Sequence, residues 1–406
     1  MTVLVVTIFC VTYALIASRR LSLLPIGRPA GALLGAVLMV AVGALTPKQS
    51  YAAIDHDTIV LLFGMMLLTA YMDRSGLFVW LAARLLARCR TPWTLMVAIS
   101  LAAGGLSAVL VNDTVCLFLT PVVVAACLRA ELPLGPYLIA LATSANIGSA
   151  ATLVGNPQNM VIGSLSGISF SSFVARAGLA SAVGLAINVA LLGLYYRRAL
   201  PAALAHPAEP PPQPDVGRSR IVAVVTLGVL AGFFAGLHLG YTTLAGACVL
   251  ILAERREAHE LFAKVDGGLL VFFAALFIVV HALERTGLVA HAWDAAAPGL
   301  QLGTAGGVAG FTALIAAGSN LVSNVPMVML AGPHMDALGG GSDAWVLLAF
   351  VSTVAGNLTL VGSVANIIVA ERARSVYALG FVEYLKFGAV STLLVLAVGV
   401  AILSIG

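Results

Sequence analysis

Hydrophobic positions along the chain come in unbroken runs, with polar and charged residues gathered between them, rather than in the alternation of a half-buried strand or the stripe of a surface helix. Most runs approach the roughly 20 residues needed to cross a ~30 Å hydrocarbon core as a helix. The first half predicts spans near 2–18, 30–46 and 58–73, a paired run at 93–111 and 114–128, an over-long run at 135–164 and a span at 178–195. Residues 196–219 then carry Arg197, Arg198, Pro201, Pro207, Pro210, Pro211, Pro212 and Pro214, a composition that cannot bury a core and reads as an extended cytosolic linker. The second half repeats the order, with spans near 221–238, 240–253 and 267–283, a paired run at 303–319 and 325–337, an over-long run at 344–370 and a span at 382–404. This divides the chain into a first repeat over 1–195, the linker over 196–219 and a second repeat over 220–406. Hairpins are expected at 93–128 and 303–337, and broken helices at 135–164 and 344–370. The predicted fold class is an all-α polytopic membrane protein with about ten transmembrane helices plus two re-entrant hairpins in an inverted repeat.

Composition removes the alternatives. The chain is 61% hydrophobic and 9% charged, against roughly 25% charged residues in a soluble domain, so a water-soluble protein of this size is excluded. A membrane β-barrel would show short alternating strands, which these continuous Leu, Val and Ala runs do not. The run from Val3 to Val11 has no basic segment before it and no small-residue cleavage site after it, and reads as a retained first span. Cys10, Cys89, Cys116, Cys127 and Cys248 show no paired spacing and read as small buried hydrophobes.

The net charge of +4 is small, and the positions of the basic residues say more. With each hairpin returning to its own side, every Lys and Arg falls on one face, Arg28 among them, except Lys48, Arg176 and Arg285. That asymmetry marks the cytoplasmic face, so both termini are expected to be extracytoplasmic and the membrane to be the cell's inner (plasma) membrane. The two halves then enter the bilayer in opposite senses, as in many secondary transporters.

Two elements recur at residue level. Thr152-Leu153-Val154-Gly155-Asn156-Pro157-Gln158-Asn159 matches Thr359-Leu360-Val361-Gly362-Ser363-Val364-Ala365-Asn366 at five of eight positions, each copy midway through an over-long run. Upstream, Asn112-Asp113-Thr114 is followed nine residues on by Pro121, and Asn324-Val325-Pro326 nine residues on by Pro333. Gly and Pro free backbone N–H and C=O groups, which cost several kcal/mol in hydrocarbon unless buried or lining a watered cavity. Freed N–H groups attract anions, and freed carbonyls with Asn and Thr oxygens hold Na⁺. Taken singly, such residues serve as helix–helix glue. Matched in pairs across an inverted repeat, they point to a binding site.

The stretches VNDTVCLFLTP (Val111–Pro121), SANIGSAATLVGNPQN (Ser144–Asn159), SNLVSNVPMVMLAGP (Ser319–Pro333) and GNLTLVGSVAN (Gly356–Asn366) resemble the ion transporter superfamily. The resemblance is to its arsenite permease and citrate transporter branch, related to divalent anion–sodium symporters, sodium/proton antiporters and silicon efflux carriers. It implies an elevator-type transporter, usually a homodimer, with a scaffold and a transport subdomain carrying two hairpins and two unwound helices. The symporters' hairpin-tip Ser-Asn-Thr corresponds here to Val111-Asn112-Asp113 and Ser323-Asn324-Val325. Asp113 in that place favours the arsenite or antiporter-like branches.

The candidate substrate or ion site is therefore Asn112, Asp113, Thr114, Asn146, Thr152, Gly155, Asn156 and Asn159 from the first repeat. From the second come Ser323, Asn324, Asn357, Thr359, Gly362, Ser363 and Asn366. Asp113 is an acid placed well inside an apolar run, a costly position that suggests proton or cation coupling. A carboxylate there also suits the cap of the second hairpin arm, a role compatible with coupling. No Lys or Arg is near it in sequence, and none lies in the four motif stretches, so a salt bridge is not expected. An anion would rest on backbone N–H groups and Asn, Thr and Ser side chains, donors that also suit a neutral trihydroxy metalloid acid. Cys116 reads as packing, and His56, His281 and His334 as interfacial residues, with His281 the one to test as a proton relay.

No GxSxG or HExxH sequence occurs and His259-Glu260 lacks a second His, so an enzyme is not expected, nor a cofactor or a bound structural metal. With no GxxxxGK[ST] motif, transport is expected to be secondary unless a separate ATPase docks on the cytosolic loops; no nucleic-acid partner is implied. Two functions fit. The first is a proton- or sodium-coupled carrier of a small oxyanion, metalloid acid or carboxylate. The second is a Na⁺/H⁺ antiporter, with Na⁺ at Asn112, Asp113 and Asn324 and protons competing for Asp113. Under either, Asn112→Ala and Asn324→Ala are expected to abolish transport in a protein that still folds, and wild-type uptake rates in both variants would contradict the paired site.

Overall fold

Helices in this chain begin where a short polar side chain can accept the first free N–H groups. Asp55 accepts from Thr58 N at 2.7 Å and opens His56–Ser75, and Asp266 accepts from Leu269 N at 3.0 Å and opens Gly267–Glu284. Thr91 and Thr304 do the same for Pro92–Ser107 and Ala305–Val322. The computed structural model describes residues 1–18, 27–205, 216–254 and 259–405, and every regular element among them is helical.

The first half runs through Thr2–Ser18, Gly27–Ala41, the short Pro47–Ala52, His56–Ser75 and Leu77–Leu86. It continues with the hairpin Pro92–Ser107 and Asn112–Arg129, the broken helix Leu134–Ser149 and Pro157–Ser166, and Phe170–Tyr196. The second runs through Val216–Phe234, Leu239–Glu254, the short His259–Phe262, Gly267–Glu284 and Leu288–Ala296. Then come the hairpin Ala305–Val322 and Asn324–Ala331, the broken helix Gly341–Ala355 and Val364–Ala373, and Phe381–Ile405. The order of elements is the same in both.

Seven described helices are long and apolar enough to cross a membrane, two of them the hairpin arms Asn112–Arg129 and Ala305–Val322. Thr2–Ser18, Gly27–Ala41 and Leu239–Glu254, read above as spans, are shorter apolar helices. The arm Asn324–Ala331 runs on directly into the 3-10 helix Gly332–Leu338, together about 26 Å and just short of the ~30 Å core. The span expected at 178–195 starts earlier, because Ser169 caps Phe170–Tyr196 by accepting from Ser172 N at 3.2 Å. Leu77–Leu86 and Leu288–Ala296 were not expected from the apolar runs. Of the Pro-rich linker, residues 206–215 lie outside the described residues, as do Arg19, Arg20, Arg255 and Arg256.

All sixteen residues of Leu134–Ser149 are buried, which makes this half-helix the axis of the molecule. Pro92–Ser107, Asn112–Arg129, Val364–Ala373 and Phe170–Tyr196 pack around it, and Phe170–Tyr196 in turn lies along Phe381–Ile405. Two further groups flank this body: Thr2–Ser18 and Gly27–Ala41 with Gly267–Glu284, and Val216–Phe234 and Leu239–Glu254 with His56–Ser75. The tightest crossing is Gly148 against Gly104, where a Cβ on Gly148 would overlap the Gly104 backbone. Gly148→Val is expected to force these helices apart at a cost of roughly 3 kcal/mol, read as a lower melting temperature in detergent; an unchanged temperature would contradict the crossing.

Candidate functional site

Both broken helices use one device to survive their break. Leu134–Ser149 and Pro157–Ser166 are separated by residues 150–156, and Gly341–Ala355 and Val364–Ala373 by residues 356–363. Each break strands carbonyls at the end of the first half-helix, and at membrane depth these need a protein partner. An asparagine in the first turn of the second half-helix supplies it. Asn159 Nδ2 donates to Ser149 O at 3.3 Å and Thr152 O at 2.9 Å. Asn366 Nδ2 donates to Gly356 O at 2.9 Å and Thr359 O at 3.1 Å, the equivalent positions of the second repeat. Gly155 and Gly362 permit the close approach: a Cβ on Gly155 would lie 2.8 Å from Ser107 O, and one on Gly362 2.7 Å from Asn320 Oδ1.

The breaks also reach across to each other. Asn146 donates through Nδ2 to Asn366 Oδ1 at 3.0 Å and to Asn357 Oδ1 at 2.8 Å, and accepts from Ser363 Oγ at 3.1 Å. Thr353, which holds the place of Asn146 in the second repeat, faces the first-repeat equivalents of Ser363 and Asn366. Its Oγ1 accepts from Asn156 Nδ2 and Gln158 Nε2, both at 3.2 Å, and donates to Asn159 Oδ1 at 3.4 Å. Asn156 also caps Pro157–Ser166, accepting from Asn159 N at 2.9 Å, and Asn357 Nδ2 donates to Thr143 O at 3.0 Å. The hairpins join through equivalent threonines: Thr152 Oγ1 donates to Ala108 O at 2.7 Å, and Thr359 Oγ1 to Asn320 Oδ1 at 3.2 Å. Asn112 N donates to Gly155 O at 2.8 Å. The hydroxyls of Ser107 and Ser319, again equivalent, are buried with no hydrogen-bond partner among the described residues.

In front of this network is a cavity of about 230 Å³. From the hairpins and broken helices it receives Asn112, Asp113, Gln158, Ser323, Asn324 and Ser363; from Gly27–Ala41 and Gly267–Glu284 it receives Arg28, Asp266, Phe272 and Phe273. Of the residues singled out in the sequence, five therefore face the cavity: Asn112, Asp113, Ser323, Asn324 and Ser363. Asn146, Thr152, Gly155, Asn156, Asn159, Asn357, Thr359, Gly362 and Asn366 form the scaffold behind it. Thr114 does neither, sitting half-buried in the first turn of its helix with its N–H on Val111 O at 3.0 Å. Cys89, Cys116 and Cys127 are buried as expected, whereas Cys10 and Cys248, at the outer faces of their helices, are exposed. His56, His281 and His334 do not line the cavity; His334 stacks on Trp293 with ring centroids 5.5 Å apart.

Asp113 has no basic neighbour in sequence, yet Arg28, counted above as a loop charge, lines the same cavity together with Asp266. The signal for Asp266 was present and unread. Ile54-Asp55 and Val265-Asp266 open equivalent helices, and Asp73-Arg74-Ser75-Gly76-Leu77 and Glu284-Arg285-Thr286-Gly287-Leu288 close them. Both closing turns place glycine in the left-handed region, φ 71° and 75°, with the preceding hydroxyl accepting from the following leucine N–H. Gln158 was inside the matched motif, and Thr353 follows from Asn146 once the repeat is aligned. Nothing in the sequence singles out Arg28.

A second cavity, of about 330 Å³, lies where Asp57 and His238 meet Ser164 and Phe170. There Asp57 Oδ1 is 3.3 Å from His238 Nε2, and Ser164 Oγ donates to Asp55 Oδ2 at 2.6 Å. Asp55 and Asp266 are equivalent caps: Asp266 lines the first cavity, and Asp55 meets the lining of the second through Ser164.

Comparison with known proteins follows the same lines. The family described as citrate transporter matches residues 13–355. The silicon efflux transporter LSI3 of Oryza sativa subsp. japonica is 34% identical over 97% of this chain and 96% of its own length. A candidate arsB transporter of Dictyostelium discoideum is 32% identical over 93% of this chain and 87% of its own length. Among solved structures, the YdaH transporter of Alcanivorax borkumensis superposes with a TM-score of 0.60 over 100% of this chain and 97% of that one, at 15% identity, a likeness of fold.

Replacing Arg28 leaves Asp113 and Asp266 facing one cavity without that counter-charge. Arg28→Gln is expected to lower initial transport rates about tenfold or more, and Arg28→Gln with Asp266→Asn to recover part of the loss; a double variant no better than the single would contradict this charge balance.

Proposed function

Because the chain belongs to the citrate transporter family, and is on that ground a multi-pass membrane transporter, we propose that it carries a small hydrogen-bonding solute of the metalloid-acid class, coupled to protons through Asp113. One observation carries the choice of solute: the cavity presents amides and hydroxyls from Asn112, Gln158, Ser323, Asn324 and Ser363, with two carboxylates and one guanidinium. Such a lining repels a di- or trianion and suits an uncharged hydroxylated acid, whose OH groups both donate and accept. The silicon efflux activity named for the rice relative and the arsB name of the Dictyostelium relative point to the same class.

The cycle we infer is alternating access of the elevator type. The hairpins and broken helices move as one body against the flanking helices, carrying the solute between the end marked by Arg28 and Asp266 and the end marked by Asp57 and His238. The distribution of basic residues supports an Arg28 end at the cytoplasm and both termini outside an inner membrane, and the family resemblance supports a homodimer. Asp113 takes a proton on one side and releases it on the other, its carboxylate standing in the cavity where the solute must pass.

The second reading, a Na⁺/H⁺ antiporter, draws on the buried Ser107 and Ser319 hydroxyls, which have no hydrogen-bond partner among the described residues. Proteoliposomes with a trapped pH dye separate the two. Arsenite or silicic acid is expected to move protons in the wild type and not in Asp113→Asn. A pH change on Na⁺ or Li⁺ alone would establish the antiporter instead, and a response to succinate or citrate only would overturn the solute class.

A further inference from the structure

The two hairpin tips hold equivalent positions and are secured very differently. At the first, Asn112 is fully engaged: its backbone N–H donates to Gly155 O at 2.8 Å, its Nδ2 to Asn146 Oδ1 at 2.8 Å, and its Oδ1 accepts from Asp113 N at 2.9 Å. The residue before it, Val111, is relaxed, with φ −64° and ψ 123°. At the second, Asn324 is 7% exposed, it lines the cavity, and its Oδ1 has no hydrogen-bond partner among the described residues. The residue before it, Ser323, is held at φ 78° and ψ 159°, a region that only glycine occupies readily.

Two differences separate the tips: Asn112 Oδ1 accepts the N–H of the next residue whereas Asn324 Oδ1 accepts none among the described residues, and the acceptor of Asn112 Nδ2, the Asn146 amide, has no counterpart amide in the second repeat. Asn146, which latches the first tip, is matched in the second repeat by Thr353. A threonine is one bond shorter and has no amide; its one hydroxyl is already shared among Asn156, Gln158 and Asn159. Asn324 is close by, since its Nδ2 and the carbonyl oxygen of Thr353 each lie 3.1 Å from where a Cβ on Gly356 would stand. We propose that the second hairpin tip is the responsive half of the site, left unlatched by Thr353, and that the transported solute supplies the partner that Asn324 lacks. The first tip is then a fixed wall that positions Asp113, and the second closes on the solute by exchanging a strained, under-bonded conformation for a bonded one. The solute clause rests on the transport reading above; the assignment of the latch does not.

Hydrogen exchange of the purified protein, read by mass spectrometry without solute, tests the latch. Peptides across residues 319–328 are expected to exchange about tenfold faster than those across 107–116, the factor that one net hydrogen bond and its strain would yield. Thr353→Asn is expected to slow the second tip, and Asn146→Thr to speed the first. Equal rates in the wild type, or a folded Thr353→Asn protein with an unchanged second tip, would overturn the assignment. Arsenite added to the wild type is expected to protect 319–328 and not 107–116; protection of the first tip alone would overturn the solute clause. In uptake assays Asn324→Ala is expected to lose transport with its melting temperature kept, whereas Asn112→Ala, still folded, loses transport and also melts at a lower temperature. The reverse pattern would overturn the proposal. Arsenite that is neither carried nor protective, with the exchange asymmetry intact, would count against the solute class and leave the latch standing.

Discussion

The constraint on which the rest of the structure depends is that backbone polar groups cannot be left unpaired inside a membrane protein. Two helices are broken in mid-course, and each break leaves carbonyls that water cannot reach. Asn159 and Asn366 supply the missing donors to equivalent carbonyls. Because their oxygens are then turned toward the opposite repeat, they become the partners of Thr353 and Asn146. Closing one break therefore helps to close the other. The cavity lies at the meeting point because the tips and half-helix starts that line it are held there by the same bonds.

Much of this was legible in the sequence, for a physical reason. A broken helix in lipid is costly, so Gly, Asn and Thr must recur wherever it recurs, and the match of Thr152–Asn159 with Thr359–Asn366 marks both breaks. Asn112 and Asn324 marked both tips in the same way. Helix ends were less legible: Phe170 to Ala177 carry Ser and Arg and look like a loop until Ser169 is seen to cap them. Thr2–Ser18, Gly27–Ala41 and Leu239–Glu254 were legible as apolar runs, and they form at the places where spans were expected.

Arg28 was missed because it belongs to no motif. Charge counting assigns it to a loop, and only the packing of Gly27–Ala41 against Gly267–Glu284 brings it to the cavity with Asp113 and Asp266. Thr353 was missed because it differs from its counterpart, whereas matching rewards identity. Yet the departures give the site its direction: a strictly symmetric pair of repeats would hold both tips alike, and one asparagine replaced by threonine makes one tip a wall and the other a moving contact. Asp113 against Val325 is a second such departure, and it places the acid on the fixed side.

Transport by this route requires that solute bind between the tips, in front of the asparagine network. Arsenic scatters anomalously, so crystals of this protein soaked in arsenite locate it directly. The account predicts one peak in the cavity bounded by Asn324, Ser363 and Asp113. A peak elsewhere, against Cys10 or Cys248 at the surface, with none in that cavity, would contradict it.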